Sequence, residues 1–140
     1  MATKVMVVDD SRTVRQQVGI VLREAGYEVI EAADGLEGAE KIAATPDLAL
    51  VICDVNMPKM NGIEMLALVK KDARNANLTV LMLTTEGQPA LIQRAKAAGA
   101  RGWIVKPFKP DLLLATVKKL AGAALEEPAP VPVPVPARAP

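Results

Sequence analysis

Histidine is missing altogether from this 140-residue chain. No imidazole is on hand to act as a base, to ligate a metal or to carry a reactive group. Any metal must therefore be held by oxygen. The single cysteine, Cys53, excludes an intrachain disulfide. It sits inside an apolar run with no histidine to activate it, which reads as a small buried hydrophobe rather than a catalytic thiol. Aromatic residues make up only 2% of the chain against 51% hydrophobic, so the core must be aliphatic. Lys plus Arg number 17 and Asp plus Glu 16, so no basic excess points to nucleic acid. No apolar stretch approaches the roughly 18 residues of a membrane span. Lys4 leads into a short apolar run that Asp9 and Asp10 cut off, which is not a signal-peptide pattern. The expectation is a cytoplasmic protein with no membrane insertion.

What is present alternates between strand and helix. Lys4 to Val8 reads as a short buried strand, and Ser11 can cap a helix in which Val14, Val18, Val21, Leu22 and Ala25 recur at helical spacing. Gly26 supplies its left-handed stop. Glu28 to Ala32 reads as a strand and Leu36 to Ala44 as a helix. Leu48 to Cys53 is a continuous apolar run, the mark of a central parallel strand. Helices are expected from about Ile63 to Lys71, over Pro89 to Ala98 with Gly99 as the stop, and over Pro110 to Ala121. Leu78 to Thr84 and Arg101 to Val105 complete the strands. Such β-α repetition implies a parallel sheet with helices on both faces and right-handed crossovers. Ligands of such folds sit beyond the carboxyl ends of the strands.

The composition changes after Glu126. Pro128, Pro130, Pro132, Pro134 and Pro136 alternate with Val or Ala, which enforces extended chain without a core. The domain division expected is 1–124 for the folded unit and 125–140 for a Pro-rich disordered tail. No two of those five prolines stand three residues apart, so a P-x-x-P docking pattern is absent from them.

Asp9 and Asp10 follow the first strand and Asp54 the third. If those strands are neighbours, three carboxylates meet at one sheet edge, where they would raise one another's pKa values. A hard divalent cation resolves that conflict, and magnesium takes carboxylate and phosphate oxygens together. The backbone carbonyl of Asn56 is a further ligand within reach. Lys106 follows the fifth strand and Thr84 ends the fourth, adding an ammonium and a hydroxyl. A carboxylate nucleophile, a cation site, a lysine and a hydroxyl are the parts that phosphoryl transfer needs, since its demand is positioning and charge neutralisation. Each residue alone has a duller reading. Asp9 or Asp10 can cap a helix, Asp54 can open a turn, Lys106 can be a solvated edge residue and Thr84 an ordinary strand residue. Those readings explain the residues singly but not their joint placement at the ends of four strands.

The segments V-V-D-D-S-R (7–12), D-V-N-M-P-K-M-N-G (54–62), L-T-T-E (83–86) and K-P-F (106–108) resemble the response-regulator receiver family of two-component signalling. The resemblance runs from about residue 3 to 122. It implies a flavodoxin-like (βα)5 fold, a doubly wound parallel sheet with strand order 2-1-3-4-5. It also implies that Asp54 is the phosphoacceptor. Asp10, Asp54 and the Asn56 carbonyl would hold Mg2+ directly, with Asp9 acting through water. Lys106 would contact the phosphoryl group and carry a cis bond to Pro107. Thr84 would swing toward the phosphoryl oxygens, and Trp103 occupies the place of a switching aromatic residue, though ordinary packing explains it too. Asn56 and Glu86 would flank the path of the attacking water, and Thr85 is bulkier than the Ala or Gly often found there, so the lifetime of the phosphorylated state is left open.

The function expected on this resemblance is a stand-alone receiver, not an enzyme beyond catalysing its own phosphorylation and dephosphorylation. A sensor histidine kinase would be the phosphodonor. The output would be phosphorylation-dependent binding to a target protein in chemotaxis or motility control, such as the flagellar motor, with a phosphatase as a further partner and no direct nucleic acid. A phosphorelay intermediate and a phosphorylation-independent scaffold are the alternatives. A dinucleotide-binding enzyme of the same architecture is disfavoured, because Asp9, Asp10 and Ser11 occupy the turn where it would need glycines to admit an anion.

Overall fold

The computed structural model describes residues 3–55, 57, 60–75, 77–84 and 89–126. Its strands are β1 (Lys4–Val8), β2 (Glu28–Ala32), β3 (Leu48–Asp54), β4 (Thr79–Thr84) and β5 (Gly102–Val105). Its helices are α1 (Arg12–Glu24), α2 (Gly35–Ala43), α3 (Gly62–Lys70), α4 (Pro89–Ala98) and α5 (Pro110–Glu126). All strand pairings are parallel, and the sheet runs β2-β1-β3-β4-β5. This is the flavodoxin-like order expected.

Alternate residues of each strand face opposite sides. Val5, Val7, Leu50, Ile52, Leu81 and Leu83 pack with Val18 and Leu22 of α1 and with Leu113, Val117 and Leu120 of α5. Met6, Val8, Val51, Cys53, Val80 and Met82 pack on the other side with Ile42 of α2, with Ile63, Met65, Leu66 and Val69 of α3, and with Ala95 of α4. Burial on both faces is why β1, β3 and β4 read as continuous apolar runs. Each fully buried Leu or Met side chain contributes about 2 kcal/mol by leaving water. The chain leaves β1 toward β2 on one side and returns to β3 on the other. The crevice at that reversal is where the carboxyl ends of β1 and β3 lie side by side.

Local chemistry sets the helix ends. Ser11 Oγ accepts from the Val14 amide at 3.2 Å, so Ser11 caps α1 rather than either neighbouring aspartate. After α1, Gly26 adopts φ +96°, and the Tyr27 amide returns to the Leu22 carbonyl at 3.0 Å. Asn61 caps α3 in a reciprocal box: its side chain accepts from the Glu64 amide, and the Glu64 carboxylate accepts from the Asn61 amide.

Several element ends lie one residue from the sequence reading, and three differences have a clear cause. Asp54 belongs to β3 instead of following it, because the ladder continues one step further, with Val55 N donating to Leu83 O at 3.3 Å. An unexpected single helical turn covers Ala73–Asn75, nucleated where Asp72 Oδ1 accepts from the Arg74 amide at 2.9 Å. Helix α5 runs past the expected Ala121 to Glu126, and so across the division placed between 124 and 125. Its Ala- and Leu-rich continuation favours helix, and Gly122 alone is too weak a breaker. The first residue able to forbid helix is Pro128, which also disfavours it at the residue before. Beyond Glu126, the tail lies outside the described residues. Among the described residues, no helix is long and apolar enough to cross a membrane.

Candidate functional site

At the carboxyl edge of the sheet, β1 delivers Asp9 and Asp10 and β3 delivers Asp54. One carboxylate oxygen from each can be chosen so that all lie within 4.8 Å of one another. Asp9 and Asp54 are buried, at 1% and 3% exposure, whereas Asp10 is exposed. Asp9 is pinned from several sides. Its amide donates to Ala32 O at 3.1 Å, its Oδ1 accepts from the Ser11 amide at 2.8 Å, and its carbonyl accepts from Arg15 Nη1 at 2.6 Å.

Lys106 enters from the end of β5. Its amide donates to Thr84 O at 2.6 Å, which locks the β5 exit against β4. Its ammonium stands 3.0 Å from Asp9 Oδ2 and 3.3 Å from Asp54 Oδ1. The contact with Asp9 is an ion pair without hydrogen-bond angles, so the buried Oδ2 has no hydrogen-bond donor among the described residues. The peptide bond from Lys106 to Pro107 is cis, as the resemblance implied.

The electrostatics follow from this crowding. Burial, and then the charges of Asp9 and Asp10, push the Asp54 carboxyl up to about 6 against the opposing pull of Lys106. For Lys106, burial works against the charge, but the carboxylates of Asp9 and Asp54 outweigh it and hold the ammonium above the ordinary lysine value. Among the described residues, the Lys106 ammonium touches two of the three carboxylates, which leaves net negative charge in a partly buried pocket. An all-oxygen donor set, with the buried Asp9 Oδ2 met by the Lys106 ammonium alone among the described residues, fits a hard divalent cation.

The backbone of Asp54 is also held. Gly62 packs so tightly that a Cβ there would collide with the Asp54 carbonyl, and its amide donates to Val55 O at 2.9 Å. The thiol of Cys53 is fully buried, pushed up by burial and by the charges of Asp54 and Asp9, and donates to Asp54 O at 3.3 Å. It stays a protonated core group.

Of the other residues singled out from sequence, Thr84 is buried at the end of β4, level with Val105 and next to the site. Trp103 does not join the acidic cluster. It packs half-buried on the face covered by α2, α3 and α4, with Lys96 Nζ 5.0 Å from its ring centroid. Asn56, Thr85 and Glu86 lie outside the described residues. Two contributors were missed, Gly62 and Arg15. The arginine lies one helical turn after the capping Ser11, a spacing visible in the sequence that aims its side chain back at the strand end.

With this geometry in place, a family model decides the lineage: the response regulator receiver domain matches residues 5–118. The chain belongs to the response regulator receiver family. Within it the chain is a chemotaxis-type receiver. It is 41% identical over 120 residues to the chemotaxis protein CheY1 of Helicobacter pylori (strain ATCC 700392 / 26695), covering 85% of this chain and 97% of that protein. It is 42% identical over 107 residues to the chemotaxis protein CheY of Treponema pallidum, covering 75% of this chain and 73% of that one. Among solved structures, Vibrio cholerae chemotaxis protein CheY4 superposes with a TM-score of 0.82 at 44% identity, over 86% of this chain and 99% of that chain. The CheX-CheY-BeF3-Mg+2 complex of Borrelia burgdorferi matches with a TM-score of 0.79 at 31% identity, over 84% of this chain and 87% of that chain. The receiver's acidic cluster, Asp9, Asp10 and Asp54, offers the donor set of a divalent-cation site.

Proposed function

We propose that this receiver takes a phosphoryl group onto Asp54 from the phosphohistidine of a sensor kinase and signals by binding a target protein in chemotaxis or motility control. The chain has no histidine, so the donor imidazole comes from the partner. An Asp54 oxygen forms the bond to phosphorus while the phosphorus–nitrogen bond of the donor breaks, and its electron pair returns to the imidazole ring. Asp10 and Asp54, with Asp9 behind them, would hold Mg2+, which when bound supplies positive charge to the transferred oxygens. Lys106 stands ready to pair with a phosphoryl oxygen, because its ammonium already reaches Asp54. Thr84 sits at the adjacent strand end, where its hydroxyl can turn to the new anion. Trp103 lies where repacking between β5 and α4 would be felt.

The observation that carries this reading is the 3.3 Å approach of Lys106 Nζ to Asp54 Oδ1 inside a cluster of three carboxylates. The Borrelia burgdorferi relative, solved with BeF3, Mg+2 and CheX, supports both the cation and protein partnership. A phosphatase that clears the acyl phosphate and a motor-type target would be the further partners. The protein would turn over its own acyl phosphate and no other substrate.

Intact mass spectrometry tests the proposal. With Mg2+ and a small acyl phosphate, the full chain gains one phosphoryl group, and Asp54→Asn gains none. An equal gain in the Asn variant rules Asp54 out as the acceptor.

A further inference from the structure

Arg15 grips the backbone of the acidic turn. Nη1 donates to the Asp9 carbonyl at 2.6 Å, and Nε donates to Glu31 Oε1 at 3.1 Å on the edge strand β2. The guanidinium side chain is only 15% exposed. Glu31 is itself braced, since its other oxygen accepts from Arg23 Nη2 at 3.3 Å and its carbonyl from Lys41 Nζ at 2.6 Å.

The carbonyl that Arg15 holds is special in one respect. It shares a rigid peptide plane with the nitrogen of Asp10. Fixing that carbonyl therefore fixes the direction in which Asp10 leaves the chain, as well as the position of Asp9. Among the described residues, the other holds on Asp9, from Ala32 O and the Ser11 amide, act on its amide and carboxylate, so the carbonyl itself is held by Arg15. Arg15 also sits in the first turn of α1, where a cation opposes the helix dipole, and α1 has no acidic residue there.

We propose that Arg15 is a positioning residue for the divalent cation: by gripping the Asp9–Asp10 peptide from behind, it presents both carboxylates to the site opposite Asp54. This rests on the reading of the cluster as a cation site. The arginine does not touch the cation or the phosphoryl group, and acts only through the turn. A guanidinium fork satisfies the carbonyl and Glu31 together, whereas a lysine ammonium is a point donor that reaches them less well.

The test is calorimetric titration of Mg2+ into the full-length wild type, Arg15→Gln and Arg15→Lys, with melting curves on the same samples. Outer contacts of this kind commonly tune metal affinity by tenfold or more, so Arg15→Gln is expected to weaken Mg2+ binding about tenfold, with Arg15→Lys in between. The phosphorylation rate at saturating Mg2+ should return close to wild type, which places the defect in cation binding. Glu31→Gln, which loosens the brace but keeps the arginine, should weaken binding by less and serves if Arg15→Gln does not fold. Unchanged Mg2+ affinity in folded variants, whatever their melting temperature, overturns the proposal and leaves the receiver reading intact. A wild type that binds no Mg2+ removes both.

Discussion

Asp54 ends β3 and Lys106 follows β5, and the lysine Nζ lies 3.3 Å from Asp54 Oδ1 while also touching Asp9 at 3.0 Å. The ammonium bridges two buried carboxylates whose mutual repulsion would otherwise go unanswered. Removing it leaves charge without a partner in a poorly solvated place. Lys106→Met is therefore expected to destabilise the metal-free protein by about 3 kcal/mol near neutral pH. Chemical denaturation with chelator present reads this directly, and added Mg2+ should restore much of the loss. A variant as stable as wild type without metal would show that the bridge contributes nothing.

Asp54 gives a pH signature of defined sign. Its carboxyl titrates at about 6 in the folded chain, above the ordinary 3.8, because burial and its acidic neighbours disfavour the charged form. Between those values the folded state binds the proton more tightly than the unfolded state. Stability of the metal-free protein should thus fall as pH rises through that window and stay reduced above it. Asp54→Asn removes the cost, so it should melt higher than wild type at about pH 7.5 and show a smaller advantage at about pH 4. Thermal melts at the two pH values check this, and equal differences at both would contradict it.

Cation affinity should carry the same group's titration. A proton on Asp54 must leave before that oxygen can ligate, so Mg2+ binding is expected to be nearly level above pH 7 and to weaken by roughly tenfold per pH unit below about 6. Calorimetry across buffers of different ionisation enthalpy would also detect the released proton. Affinity independent of pH from 5 to 8 would mean that Asp54 is not a ligand.

Gly62 makes a steric prediction. A methyl group there would run into the Asp54 carbonyl, a backbone atom that cannot swing aside. Gly62→Ala should destabilise the fold by about 3 kcal/mol and slow phosphorylation at saturating Mg2+, because the shift displaces Asp54, the proposed acceptor. Denaturant melts and phosphorylation kinetics measure the two effects separately.

Much of the fold was legible because its physics is local. Apolar runs marked Lys4–Val8 and Leu48–Cys53 as buried strands, and Gly26 and Gly99, both at positive φ, marked helix ends. The meeting of Asp9, Asp10, Asp54 and Lys106 followed from their places at strand ends. The strand order that brings those ends together came from the resemblance of four short motifs. What escaped depends on packing between distant segments. Arg15 reads as a solvated helix residue until β2 places Glu31 beside it, and Gly62 reads as a turn glycine until α3 closes on the Asp54 carbonyl. The helix expected over Pro110 to Ala121 runs on to Glu126, because the Ala- and Leu-rich stretch that follows keeps helical propensity up to the proline run. Trp103 lay closer to α4 than to the acidic edge, a placement that strand alternation permits but does not dictate.

Magnesium titration followed by amide NMR tests most directly whether the acidic edge is a cation site. The account predicts saturable binding of one ion, with the largest shifts at Asp9, Asp10, Val55 and Lys106, and loss of that binding in Asp54→Asn. Shifts confined to exposed acidic residues elsewhere, or spectra unmoved at millimolar Mg2+, would contradict it.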